Sequence, residues 1–259
     1  MVKKKNKKLI ILLVAVIAFL LSSFAIYFYA KDYYKATATA EEALAGSDTV
    51  EVSKKKLKDG IAKTTYYHFN AREEKKDKKG GIIFYPGEKV EEVAYAPLLL
   101  ELAEEGYEVF LVRMPLNLAI LGSNKADRII EEYNQIENWI MMGHSLGGAM
   151  AASYAADNQK TIQGLVLLAA YSTKDISDSG ISVLQIYGSN DEVLNRKSLD
   201  KYAKNLPEDA IVYEIEGGNH ANFAFYGEQR GDGEATITRK EQLQILMDEW
   251  KLMETRGMK

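Results

Sequence analysis

Apolar and polar positions divide the chain into three stretches. Residues 9–30 carry no charge and are dominated by Leu, Ile, Val, Ala and Phe, with Tyr27 and Tyr29 near the far end. Residues 31–48 mix Ala, Thr, Lys and Glu with no apolar face wide enough for a core, so they read as a stalk with room for a short amphipathic helix. Residues 49–259 alternate short β-rich runs with longer runs of helical period, the signature of a mostly parallel sheet covered by helices. Strands are expected at 50–57, 64–70, 81–85, 107–112, 139–142, 164–169, 182–187 and 211–215, and helices at 91–105, 125–134, 145–157, 196–205 and 239–255. The unbroken apolar runs Ile82-Ile83-Phe84 and Leu165-Val166-Leu167-Leu168 suit central strands buried on both faces. The charge run at 72–79, lying between two strands, is expected to be a solvated turn.

The first stretch is long enough to span a bilayer, since a helix rising about 1.5 Å per residue needs roughly 20 apolar residues to cross the hydrocarbon core. A cleaved signal peptide is the alternative, with Ala36-Thr37-Ala38 or Ala38-Thr39-Ala40 as its cleavage context. The apolar core of a signal peptide is only about 7–15 residues long, which favours an uncleaved signal anchor. Lys3, Lys4, Lys5, Lys7 and Lys8 form a basic segment at 1–8, expected to stay cytoplasmic. That orientation makes the chain a single-pass membrane protein with its body outside, or a secreted one if the segment is removed.

Five of the 33 Lys and Arg precede the apolar run while all 37 Asp and Glu follow it, so the body is more acidic than the net charge of −4 suggests. Such a surface repels phosphate backbones, and nucleic acid is not expected as a partner. With no cysteine in the chain, disulfides, thiolate metal sites and cysteine nucleophiles are excluded together.

Gly143-His144-Ser145-Leu146-Gly147, followed by Gly148, lies between an apolar strand and an Ala-rich helix. It matches the nucleophile elbow Gly-x-Ser-x-Gly, in which the serine occupies a strained strand-to-helix turn and the glycines let strand and helix approach. A serine hydroxyl needs a base, and a group that orients the base. Of the three histidines, His144 is inside the elbow and His68 is on an early strand, where a structural role suits it. His220, in Gly217-Gly218-Asn219-His220, directly follows the last apolar strand and is the expected base. Asp191, in Gly188-Ser189-Asn190-Asp191 after the penultimate strand, is the expected acid, with Glu192 and Asp178 as competitors. The order Ser145, Asp191, His220 is that of α/β-hydrolases and not that of chymotrypsin or subtilisin. The oxyanion of acyl transfer is expected to meet the N–H of Leu146 and that of Glu88, in the loop Tyr85-Pro86-Gly87-Glu88-Lys89.

On these segments, together with Arg113-Met114-Pro115-Leu116-Asn117, the chain resembles small bacterial α/β-hydrolases, similar to carboxylesterases and dienelactone hydrolases, over about residues 80–250. The resemblance implies an eight-stranded, mostly parallel sheet and ester hydrolysis through an acyl-enzyme, without metal or organic cofactor. Two positions depart from the pattern: Pro86-Gly87 stands where His-Gly is usual after the third strand, and Ser145 where dienelactone hydrolases carry Cys. The short connection at 170–180 leaves little room for a lid. An open site is therefore expected, with Met114, Asn117, Tyr171, Asn222 and Phe223 on its substrate-binding walls. Two other readings share the sequence: acyl transfer to a cell-envelope acceptor by the same three residues, and an anchored binding module without catalysis.

Overall fold

A computed structural model describes residues 2–59, 62–72 and 79–256. Two compact units make up the chain, Met1–Tyr33 and Tyr34–Lys259. The first is a single helix, α1 (Val2–Lys31), whose stretch Ile10–Tyr29 has a mean hydropathy of 2.8 and is long and apolar enough to cross a membrane.

The second unit is built on one eight-stranded sheet. Its strands are β1 (Val50–Asp59), β2 (Ala62–Ala71), β3 (Gly80–Tyr85), β4 (Tyr107–Val112), β5 (Trp139–His144), β6 (Ile162–Leu168), β7 (Ser182–Gly188) and β8 (Ile211–Ile215), in spatial order β1-β2-β4-β3-β5-β6-β7-β8. The pairs β1/β2 and β2/β4 are antiparallel and every other pair is parallel. All eight strands overlap the β-rich runs that predict them. The helices of this unit are α2 (Ala38–Glu42), α3 (Ala96–Glu104), α4 (Lys125–Glu132), α5 (Leu146–Asp157), α6 (Arg196–Tyr202) and α7 (Arg239–Thr255).

Side-chain alternation explains why the central strands lack a polar face. Ile82, Phe84, Val109, Leu111, Ile140 and Met142 pack with Leu98, Leu102 and Trp250 on one side, where α3 and α7 lie. Ile83, Tyr85, Phe110, Val112, Met141 and Leu167 pack with Ile129, Ala151 and Ala155 on the other, beneath α4 and α5. Successive residues of a strand point to opposite faces, so burial on both demands an unbroken apolar run. Helix α7 starts where Thr238 and Glu241 cap each other's backbone amides, which fixes its first turn.

Three segments differ from expectation. The helix expected at 91–105 is a 3-10 turn, Glu92–Tyr95, followed by α3. Pro97 sits in the first turn of α3, a position that suits a residue without an N–H, and so marks a new helix start. Helix α6 ends at Tyr202 and its continuation is the 3-10 turn Ala203–Asn205. Residues 34–48, expected as a stalk, belong to the sheet unit. Ala40 is fully buried, and Tyr34, Ala36, Ala43 and Leu44 pack against the core. Small alanine side chains allow this close packing without the wide apolar stripe that would announce it. Of the charge run expected as a solvated turn, residues 73–78 lie outside the described residues.

Candidate active site

Six parallel strands, β3 to β8, end at one edge of the sheet, and the loops leaving them carry the candidate residues. Ser145 joins β5 to α5 with φ 53° and ψ −124°, a backbone conformation that L residues rarely adopt. Its N–H donates to Leu168 O at 2.9 Å and its carbonyl accepts from Ala149 N at 3.0 Å, which holds the turn from both sides. The tightness explains Gly147. A Cβ at that position would lie 2.1 Å from Tyr85 O and 2.3 Å from Pro86 O, so only glycine lets the helix start approach the β3 loop. Leu146 is the first residue of α5, where backbone N–H groups have no partner within the helix.

His220 and Asp191 meet at this edge. Nδ1 of His220 lies 2.8 Å from Oδ2 of Asp191, and the residues are 1% and 4% exposed. The other carboxylate oxygen of Asp191 accepts from the N–H groups of Val193 and Leu194 at 2.9 and 2.8 Å. The two loops are also stitched directly: Asn190 N donates to Gly218 O at 2.8 Å, and Gly217 N to the Ser189 hydroxyl at 2.8 Å. The competing carboxylates Glu192 and Asp178 are both exposed.

Sequence reasoning missed a second acid. Asp232 accepts from His220 N at 3.2 Å and Ala221 N at 2.8 Å, pinning the backbone of the histidine loop. Burial pushes its carboxyl above the usual range, while the two amide hydrogen bonds oppose the shift. Only the turn-forming setting Gly231-Asp232-Gly233 hints at it in the sequence.

A second network runs beneath the elbow. The Tyr95 hydroxyl accepts from Gly87 N at 3.0 Å and lies 2.8 Å from Nδ1 of His144. Burial pushes the Tyr95 phenol up, so it keeps its proton, and Nδ1 of His144 is the acceptor that proton finds. Burial first, and the neighbouring His220 second, hold the His144 imidazole well below its usual range, so the ring is neutral. The His220 backbone partly opposes that shift, and the ring centroids of His144 and His220 are 4.4 Å apart. His68 sits apart on β2, buried and 3.0 Å from a Glu108 carboxylate oxygen.

Gly87 is buried and Glu88 exposed. Lys89, at φ 58°, donates its N–H to Asn117 O at 2.9 Å and so ties this loop to the turn after β4. The five residues expected on the substrate walls lie in different settings. Asn117, Tyr171 and Asn222 are half-buried, with Tyr171 stacked on Tyr202 at 5.6 Å. Asn222 lines a cavity of about 650 Å³ beside Asn219, Asp232 and Arg239. Met114 and Phe223 are core residues instead: Met114 is 3% exposed, and Phe223 is fully buried against His144, their rings 5.9 Å apart. Met114 immediately precedes the turn Pro115–Asn117, and Phe223 ends the turn Ala221–Phe223.

Comparison of the sequence with curated proteins yields no match. Among solved structures, a CIB-like hydrolase from Thermoplasma acidophilum is similar at 15% identity and TM-score 0.57, over 78% of this chain and 98% of that one. A carboxylesterase structure from Nitrososphaera gargenis is similar at 12% identity and TM-score 0.58, over 78% of this chain and 100% of its own. A dienelactone hydrolase-like promiscuous phosphotriesterase from metagenomic libraries gives 14% identity and TM-score 0.58, over 79% and 99%. At such identities the likeness is one of fold. The model of the alpha/beta hydrolase family matches residues 81–244, which run from β3 through the Ser145 elbow to the second turn of α7, and the chain belongs to that family.

Proposed function

We propose that the protein is a membrane-anchored serine hydrolase that cleaves carboxylic esters outside the cytoplasmic membrane. The observation that carries the reading is the strained Ser145 turn set beside a sealed His220–Asp191 pair at the same sheet edge. With a carboxylate at Nδ1, the neutral His220 ring donates there, and Nε2 carries the lone pair. Ser145 Oγ attacks the ester carbonyl carbon as its proton passes to Nε2, and Asp191 steadies the imidazolium that forms. The N–H groups of Leu146 and Glu88 bind the oxyanion. Collapse of the tetrahedral adduct expels the alcohol, which takes the proton from His220. Water then enters by the same base and releases the carboxylic acid from Ser145. Family membership supports hydrolysis, and the likeness in fold to solved carboxylesterases supports an ester as the bond cleaved.

The uncharged stretch of α1 supports anchoring, and the lysines before it support a body outside the membrane. A fluorophosphonate probe tests the chemistry: the purified chain should be labelled, and Ser145→Ala should not. Absence of labelling in folded wild-type protein would leave a binding module as the better account.

A further inference from the structure

The chain joins the sheet unit only a few residues after its apolar helix. The span Ile10–Tyr29 is followed within five residues by Tyr34, which pairs with Val90 in a parallel bridge. Tyr34 N donates to Lys89 O at 2.7 Å, and Tyr34 O accepts from Glu91 N at 2.9 Å. The entering strand is thereby fastened to the loop that contains Gly87 and Glu88. Its ring also packs on Tyr226 at 5.4 Å, and its hydroxyl accepts from Arg230 N at 3.0 Å. Three residues on, Thr37 N donates to Phe225 O at 2.8 Å. Phe225, Tyr226 and Arg230 belong to the segment that follows His220. Tyr34 is thus held between the two loops that carry the proposed oxyanion donor and the proposed base. A chain covers at most about 3.3–3.6 Å per residue, so by covalent reach alone Tyr34 lies within roughly 18 Å of the end of the span.

An apolar rim sits beside the same loop. Leu116, Ile120 and Leu121 are 46%, 59% and 53% exposed, and outside α1 the last two are the most exposed large apolar side chains among the described residues. They occupy the two turns after β4, Pro115–Asn117 and Ala119–Leu121. Asn117 O takes the Lys89 N–H, and the Ala119–Leu121 turn packs on α5, the helix that begins at Leu146.

We infer that the mouth of the site works against the bilayer that α1 spans, with Leu116, Ile120 and Leu121 seated in its interface, and that the substrate is an ester-linked acyl chain of a membrane lipid. The inference rests on the anchored-esterase reading and names its substrate class. The short tether selects lipid as the occupant. An apolar patch on a loop hydrogen-bonded to the one that holds Tyr34, itself a few residues from the span, meets lipid at a high effective concentration. An acyl chain moving up from the interface would pass this rim on its way to Ser145.

The test uses the full chain reconstituted in phosphatidylcholine vesicles, with two substrates: a dissolved short-chain p-nitrophenyl ester and a glycerolipid bearing a fluorogenic acyl ester in the vesicle wall. Two variants separate docking from chemistry. One is Ile120→Ser with Leu121→Ser, and the other inserts about 20 Gly and Ser residues between Asp32 and Tyr33 to loosen the tether. Each should lower turnover of the vesicle-borne ester on the order of tenfold while leaving the dissolved ester within about twofold of wild type. Equal retention of both activities in both variants would overturn the inference, as would Ser145-dependent hydrolysis of the dissolved ester with none of the lipid. Two other outcomes would instead defeat the reading beneath it: no Ser145-dependent turnover of either ester removes the esterase, and protein recovered apart from the vesicles removes the anchor.

Discussion

Asp191 divides its carboxylate between two tasks, presenting Oδ2 to His220 at 2.8 Å and Oδ1 to the amides of Val193 and Leu194. The amide pair fixes the carboxylate and the carboxylate fixes the ring, so the acid can change chemically without the loop moving. Asp191→Asn should therefore fold normally by circular dichroism, yet lose about 10³- to 10⁴-fold in kcat/KM on a p-nitrophenyl ester through the wrong tautomer of His220. Ser145→Ala and the double variant Ser145→Ala/His220→Ala should be equally inactive, because residues acting as one unit do not contribute additively. Full activity in Asp191→Asn, with loss in Glu192→Gln, would assign the acid to the exposed neighbour.

Packing at the elbow makes a prediction about stability. In Gly147→Ala the new Cβ would meet backbone oxygens of Tyr85 and Pro86 at 2.1 and 2.3 Å, atoms with no rotamer to yield. Unfolding in urea, followed in detergent, should show a loss of more than about 3 kcal/mol or a failure to accumulate folded protein. Gly180→Ala is the control: φ is 71° there and nothing lies within 4 Å of the new atom, so strain alone should cost about 1–2 kcal/mol. Equal losses at both sites would mean that the β3 loop moves to accommodate position 147.

How much of this the sequence foretold depends on whether the determining contact is local. The strands were legible because double-sided burial writes itself as apolar runs such as Ile82-Ile83-Phe84. The placing of Ser145, Asp191 and His220 at one edge was legible because each lies in a loop leaving a strand of the parallel part of the sheet. Tyr95 and Asp232 were not, since Tyr95 matters only by reaching Gly87 and His144 through space, and Asp232 only by folding back onto His220. The same limit governs Met114 and Phe223, whose burial rests on contacts made through space. It governs residues 34–48 as well, where alanines pack closely without an apolar stripe.

His144 links stability to pH. Its folded value is depressed by burial, so between its unfolded value near 6.5 and the lower folded one the unfolded chain holds a proton that the native protein lacks. Stability therefore rises with pH across that window and is lost as pH falls below about 6.5, by at most about 1.4 kcal/mol per pH unit from this group. Urea unfolding of wild type and His144→Gln at several pH values from 7.5 down to 5 should show a shallower decline in the variant. Parallel declines would mean that His144 takes up its proton in the native state, against its burial beside His220 and Tyr95.

Tyr95 supplies a prediction that separates catalysis from stability. Its hydroxyl is the partner of both Gly87 N and His144 Nδ1, two buried groups. Removing it in Tyr95→Phe strands a donor and an acceptor, which should cost roughly 2–4 kcal/mol of stability. A purely structural role would end there, with kcat intact in whatever fraction remains folded. If the hydroxyl instead sets the position of the loop that offers the Glu88 N–H, the donor drifts from the oxyanion. Since that charge exists only after attack by Ser145, kcat should fall by about tenfold or more while KM changes little. The measurement is kcat and KM per active site, with sites counted by fluorophosphonate titration so that unfolded protein is excluded. Unchanged kcat alongside a lowered unfolding midpoint would confine Tyr95 to the core and remove the β3 loop from the chemistry.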